Sequence, residues 1–222
     1  MLLRISLFSI WAACLTFSAN AQVSLGASLG ANYSFWDWHI KSLNTDLTFD
    51  PGFGYRAAVV GDWHISPSIG LRADLAYQIW RNSTTQTFSF PSDPVGSEGT
   101  RSERFHNFAG SLLATISPFT QKRVYFLAGA TAAYITEGRA TVTIEGGPEA
   151  GTHDQGPTNL ENYNRSQVFA DFGGGVKFPL GAKGSLFSEI RYQLPLTNLS
   201  GIENVDASVS PLLLNVGYLF QL

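Results

Sequence analysis

From Val23 onward, apolar and polar positions alternate with a period of two rather than 3.6, as in strands buried on one face. In the first segment Val23, Leu25, Ala27, Leu29, Ala31, Tyr33 and Phe35 share a face opposite Ser24, Gly26, Ser28, Gly30, Asn32 and Ser34. The second sets Phe53, Tyr55, Ala57, Val59, Gly61, Trp63 and Ile65 against Gly54, Arg56, Ala58, Val60, Asp62 and His64. The third sets Ile69, Leu71, Ala73, Leu75, Tyr77 and Ile79 against Gly70, Arg72, Asp74, Ala76, Gln78 and Trp80. Five more segments fall near 104–117, 123–136, 164–179, 185–196 and 210–222. In the fifth, Val124 to Ile135, the residues are too uniformly small and apolar to assign faces.

The connections alternate in length. Ser66-Pro67-Ser68, Pro118 to Lys122 and Leu180 to Gly184 are tight turns, whereas 38–51, 91–103, 145–161 and 197–208 are longer and polar. Eight long strands with short turns at one rim and long loops at the other form the pattern of a transmembrane barrel. An even number of strands leaves both termini on the short-turn side. The expected fold is all-β: an eight-stranded antiparallel up-and-down transmembrane β-barrel. The long loops are expected to face the exterior, and the strand extensions Asn82 to Phe90 and Arg139 to Glu145 to rise above the membrane.

The start of the chain follows a different pattern. Met1 to Arg4 is positive, Ile5 to Phe17 is nearly unbroken apolar sequence, and Ala19-Asn20-Ala21 is a small-x-small cleavage signal. This is the layout of a secretory signal peptide over 1–21, with the barrel domain over 22–222. The single cysteine, Cys14, lies in that leader, where Trp11-Ala12-Ala13-Cys14 is a poor lipobox. The mature chain is thus expected to carry no disulfide, thiolate nucleophile or cysteine metal site.

Composition narrows the choice further. The chain is 44% hydrophobic and only 14% charged, well below the roughly 25% usual for soluble domains. No segment after the leader has the roughly 20 apolar residues of a membrane-spanning helix. A net charge of −3 offers no clustered basic excess for nucleic acid. If the apolar face meets lipid, Trp63, Phe178, Tyr218 and Phe220 gather at one height and Tyr33, Phe35, Phe53, Tyr55, Tyr77 and Tyr192 at the other, with Leu25, Val59, Leu71, Leu75, Ile190 and Leu214 between. Two aromatic belts around an aliphatic band are what a bilayer selects.

The opposite face then fills a narrow lumen. It carries Arg56, Asp62, Arg72, Asp74, Asp171, Lys177, Glu189 and Arg191, with Gly54, Gly70, Gly173, Gly175 and Gly217 leaving them room. Turn lengths place Asp62 opposite Arg72, and Gly175 and Gly173 opposite Glu189 and Arg191. These eight charges are the candidate residues, in a structural role.

The Ala-x-Ala-Gln site, the strands Ile69-Gly70-Leu71-Arg72-Ala73-Asp74-Leu75-Ala76-Tyr77 and Phe187-Ser188-Glu189-Ile190-Arg191-Tyr192, and the closing Asn215-Val216-Gly217-Tyr218-Leu219-Phe220 resemble the PorT-type outer-membrane β-barrel family of Bacteroidota. The resemblance spans the mature chain. It implies location in the outer membrane of a Gram-negative bacterium, and it brings no catalytic residue with it.

Signals for chemistry are sparse. His39, His64, His106 and His153 are isolated, and Ser102, Glu103 and His106 form a Ser-His-acid set without diagnostic spacing. A calcium loop counted from Asp46 fails at Pro51 and Ala57. Gly173-Gly174-Gly175 lies mid-strand, not in a phosphate loop. No catalytic residue, cofactor or metal is expected. The expected role is structural or surface-interacting, through the long loops, with outer-membrane lipid, the assembly machinery and an extracellular protein or glycan ligand as partners. A lipid A deacylase-like enzyme and a soluble lipocalin-like carrier are the alternatives.

Overall fold

The computed structural model describes residues 22–42, 45–66, 68–90, 93–119, 123–144, 150–181 and 183–222. The leader expected over 1–21 lies outside them. The elements in chain order are β1 (Gln22–Ile40), β2 (Thr45–Thr48), β3 (Asp50–His64), β4 (Ile69–Phe90), β5 (Asp93–Ile116), β6 (Val124–Ile144), β7 (Gly151–Pro157), a 3-10 turn (Leu160–Asn162), β8 (Ser166–Leu180), β9 (Gly184–Pro195) and β10 (Val205–Gln221).

Each of β1, β3, β4, β5, β6, β8, β9 and β10 pairs antiparallel with the next, and β10 pairs back onto β1 from Ser24↔Gln221 to Ile40↔Val205, closing a ring of eight. Closure leaves no sheet edge within the ring, as the hydrocarbon layer requires of any backbone crossing it. The short strands β2 and β7 add to the outer ends of β1 and β6. The short-turn rim is built locally. Between β3 and β4, Ser66 Oγ accepts from the Ile69 amide at 3.0 Å, and Gly181 supplies the positive φ of +71° that turns β8 into β9.

The faces fall as the alternation predicts. Leu29 and Leu75 are 71% and 74% exposed on the outer wall, while Arg72 and Asp171 are fully buried inside. On β6, Tyr125, Leu127, Thr131, Ala133 and Ile135 point inward. A bulge at His106/Asn107 then shifts the register, so that Gly138, Ala140 and Val142 take over the inner face.

The expected loops need correction. The segment 91–103 is strand from Asp93 onward, because the β4–β5 hairpin keeps pairing to Phe90↔Asp93. The segment 38–51 holds the end of β1, all of β2 and the start of β3, and 145–161 contains β7. His39 and His153, expected in loops, lie in β1 and β7. Thus β4, β5 and β6 run to 22, 24 and 21 residues, twice the 9–11 that cross a bilayer. About 10 residues of each continue the sheet beyond the apolar wall, roughly 30 Å of strand at ~3.3 Å per residue.

Candidate functional site: a lumen in two layers

Inside the short-turn half, the structure brings together all eight predicted charges. Arg72 grips Asp62 bidentately, Nε at 2.6 Å and Nη2 at 2.9 Å, and Lys177 Nζ reaches the same carboxylate at 2.5 Å. Arg72 Nη1 also donates to Glu189 and, at 3.2 Å, to Tyr125 Oη, which in turn donates to Glu189 at 3.0 Å. Arg191 joins Asp74 at 3.0 Å, Glu189 at 3.3 Å and Asp171 at 3.7 Å, while Arg56 closes on Asp74. Thr131 donates to Asp171 at 2.7 Å and Gln193 donates to it at 3.0 Å. Four cations (Arg56, Arg72, Lys177, Arg191) face four carboxylates (Asp62, Asp74, Asp171, Glu189), so the formal charge of the network is zero.

Aromatic rings and missing side chains shape the space around these charges. The Arg72 guanidinium lies 4.7 Å from the Phe187 ring centroid and 5.1 Å from that of Tyr125. A Cβ at Gly175 would stand 2.5 Å from Tyr125 Oη, and one at Gly217 would stand 2.5 Å from the Phe187 ring. Side chains at these two positions would displace the rings that frame Arg72. Below the network, a cavity of about 290 Å³ opens at the short-turn mouth, lined by His64, Arg123, Lys177 and Lys183 among others.

The outer half of the lumen is built differently. Trp80, Phe105, Phe169, Ile135 and Val209 are fully buried there, with Trp36 packed beside them. Rings meet at 5.3 Å (Trp36–Phe105) and 5.6 Å (Trp80–Phe169). Two loops drop apolar residues onto this layer: Leu160 from the β7–β8 connection and Leu199 from the β9–β10 connection. Tyr163 packs on Phe105 and Trp38, and burial pushes its hydroxyl above the ordinary range.

Asparagine side chains hold the loops down. Asn198 Oδ1 accepts from the Ser200 and Ala207 amides, each at 2.9 Å, and its Nδ2 donates to Val205 O at 3.1 Å. Asn164 Nδ2 donates to Asn198 O at 2.8 Å and Ser200 O at 3.0 Å. Sequence reasoning missed this layer and its clasp. The available signal was the inward phase of Trp80, set by its alternation with Tyr77 and Ile79.

The histidine-centred set does not assemble. Ser102 and His106 point outward from β5, while Glu103 points inward, where Arg101 holds it at 2.8 Å. His106 instead contacts the Tyr77 hydroxyl on the outer wall. Among the described residues, no three His, Cys, Asp or Glu side chains gather as a metal would require.

Several solved structures are similar to this chain. Neisserial surface protein A shares 15% identity, with 90% of this chain and 98% of that one covered and a TM-score of 0.46. The attachment invasion locus protein Ail of Yersinia pestis shares 12%, covering 90% and 98% (TM-score 0.34). The outer membrane protease OmpT of Escherichia coli shares 8%, covering 90% and 97% (TM-score 0.45). No curated protein matches the chain. The model of the outer membrane protein β-barrel domain matches residues 17–201, and with its closed ring and apolar outer wall the chain belongs to that family of outer-membrane proteins.

Proposed function

We propose that this outer-membrane protein is a non-enzymatic, PorT-type barrel whose filled lumen is a scaffold and whose raised outer end binds an extracellular protein or glycan. The observation that carries this reading is the division of the molecule. The lumen is occupied from Asp62 to Trp80 by paired charges and packed rings, whereas β4 to β7 continue as a paired sheet past the membrane wall. Among the described residues, β3 stops pairing with β4 at Asp50↔Ser83, so residues 84–90 present a free strand edge on that side. Such an edge accepts an extended segment through backbone hydrogen bonds.

Three measurements separate the alternatives. Barrels reconstituted in vesicles are expected to pass no sugar-sized solute. Lipid A from cells with and without the protein is expected to have the same acyl pattern by mass spectrometry. On glycan and protein arrays, a barrel in which 84–101 is replaced by a short turn is expected to lose ligands that the parent retains, while still migrating on gels as a folded barrel. An altered acyl pattern would make the enzyme reading the better one.

A further inference from the structure

On the outer wall, the pairing of β4, β5 and β6 sets three arginines side by side: Arg81↔Arg104 and Arg104↔Arg139 are direct cross-strand partners. All three point outward, since their chain neighbours Trp80, Phe105 and Ala140 are buried in the lumen. Like charges opposed across a sheet are destabilising, so a row of three requires something to offset it. Arg139 Nε is paired with Glu137 at 2.6 Å. Among the described residues no carboxylate pairs with Arg81 or Arg104. Arg81 leans over the Tyr55 ring at 5.8 Å, and its Nε is buried without a protein partner.

The height of the row identifies what it faces. Tyr77, Phe108 and Tyr134 form a cross-strand aromatic row on the same wall, at the level such rings take in the membrane interface. The arginines lie four residues further out on β4 and β5, about 13 Å along the strand, or roughly 10 Å along the membrane normal at the usual tilt. That places the row at the outer edge of the headgroup layer, which is about 5–7.5 Å deep on each side. Beyond them come two rows of hydroxyls: Ser83–Ser102–Thr141, then Thr85–Thr100–Thr143.

We infer that this wall is a docking surface for a phosphorylated glycolipid of the outer leaflet. Arg81 and Arg104 take the phosphates, and the hydroxyl rows take the sugars above. The inference rests on the raised end facing outward and is independent of any protein or glycan ligand on the strand edge.

The probe is lipopolysaccharide carrying its lipid A phosphates, compared with its dephosphorylated form and with phosphatidylglycerol. Each is offered to the folded barrel in phosphatidylcholine nanodiscs and read by native mass spectrometry. The parent should retain the phosphorylated glycolipid in preference to both comparators. An Arg81→Gln/Arg104→Gln variant should bind it at least about tenfold more weakly, from the loss of two charge-assisted contacts. Arg123→Gln/Lys183→Gln, at the opposite mouth, should leave binding unchanged and serves as the folding-matched control.

A second readout separates docking from mere structure. In phosphatidylcholine alone Arg104→Gln should not lower the unfolding temperature, because it relieves like-charge repulsion. With the phosphorylated glycolipid present it should lower it. Equal retention by parent and double variant, or equal retention of the dephosphorylated form or of phosphatidylglycerol, would overturn the proposal.

Discussion

The two halves of the lumen meet the same requirement, filling a narrow barrel, by opposite means. The short-turn half uses eight ionised groups that neutralise one another. The outer half uses tryptophan and phenylalanine rings sealed by two loop leucines. The outer wall accounts for the difference. An ordinary soluble domain hides its apolar residues inside, but here the wall faces lipid, and the interior can be polar only where every charge finds a partner. In the outer half, the loops above the barrel can fold back and supply apolar covers, so a conventional hydrophobic core forms there. The charged half is therefore brittle toward single substitutions, and the aromatic half should respond like a soluble core.

The largest effect is expected from Glu189→Leu, which leaves Arg72 and Arg191 under-compensated in a buried site. It should cost about 3–5 kcal/mol in urea unfolding from lipid vesicles. Trp80→Ala should cost a comparable amount, about 3–5 kcal/mol, with a different signature. A small apolar molecule that fills the resulting space should recover part of its loss and none of the loss from Glu189→Leu. Equal rescue of both variants would erase the distinction between the halves.

On the wall, Leu75→Arg near mid-bilayer should cost about 2–4 kcal/mol, less as the same substitution moves toward either belt. Asn198→Ala should cost about 1–3 kcal/mol by stranding the Ser200 and Ala207 amides. Its effect should be local: faster amide exchange and protease cutting at 196–204, with the charged half unmoved. The smallest energetic effect is expected from cysteines placed at Thr85, Gly151 and Asn204, which should react with an impermeant maleimide on intact cells while those at Ser68 and Lys183 do not. The reverse labelling would invert the barrel in the membrane.

Much of this was legible in the sequence, for a simple reason. A strand between lipid and a polar lumen must alternate strictly, so Leu71, Ala73 and Leu75 against Gly70, Arg72 and Asp74 declare both faces at once. The short Ser66–Ser68 turn also fixes register, which is how the Asp62–Arg72 pair can be read from spacing alone. Reading fails where one of those constraints relaxes. On β6, Ala128, Gly129, Ala130, Ala132 and Ala133 differ too little to mark a face, and the bulge beside His106 then reverses the phase. In 93–103 the Gly, Ser, Thr and Glu residues look like loop, and only the neighbouring strand makes it sheet. The aromatic layer was obscured because Trp36, Phe105 and Phe169 sit on an inner face that is polar on either side of them, beside Ser34, Glu103 and Asn107, and Gln167 and Asp171. The arginine row depends on two hairpin registers taken together.

The most direct test of the central claim, charges inside and apolar residues against lipid, is a paired urea unfolding of Arg72→Leu and Leu75→Ala in lipid vesicles. Arg72 is fully buried among Asp62, Glu189 and Tyr125, while Leu75 is 74% exposed on the wall. The expected result is a loss of about 3–5 kcal/mol for Arg72→Leu and under about 1 kcal/mol for Leu75→Ala, which exchanges a contact with lipid for another and leaves no cavity. A silent Arg72→Leu beside a Leu75→Ala that behaves as a core truncation would contradict the account and turn the barrel inside out.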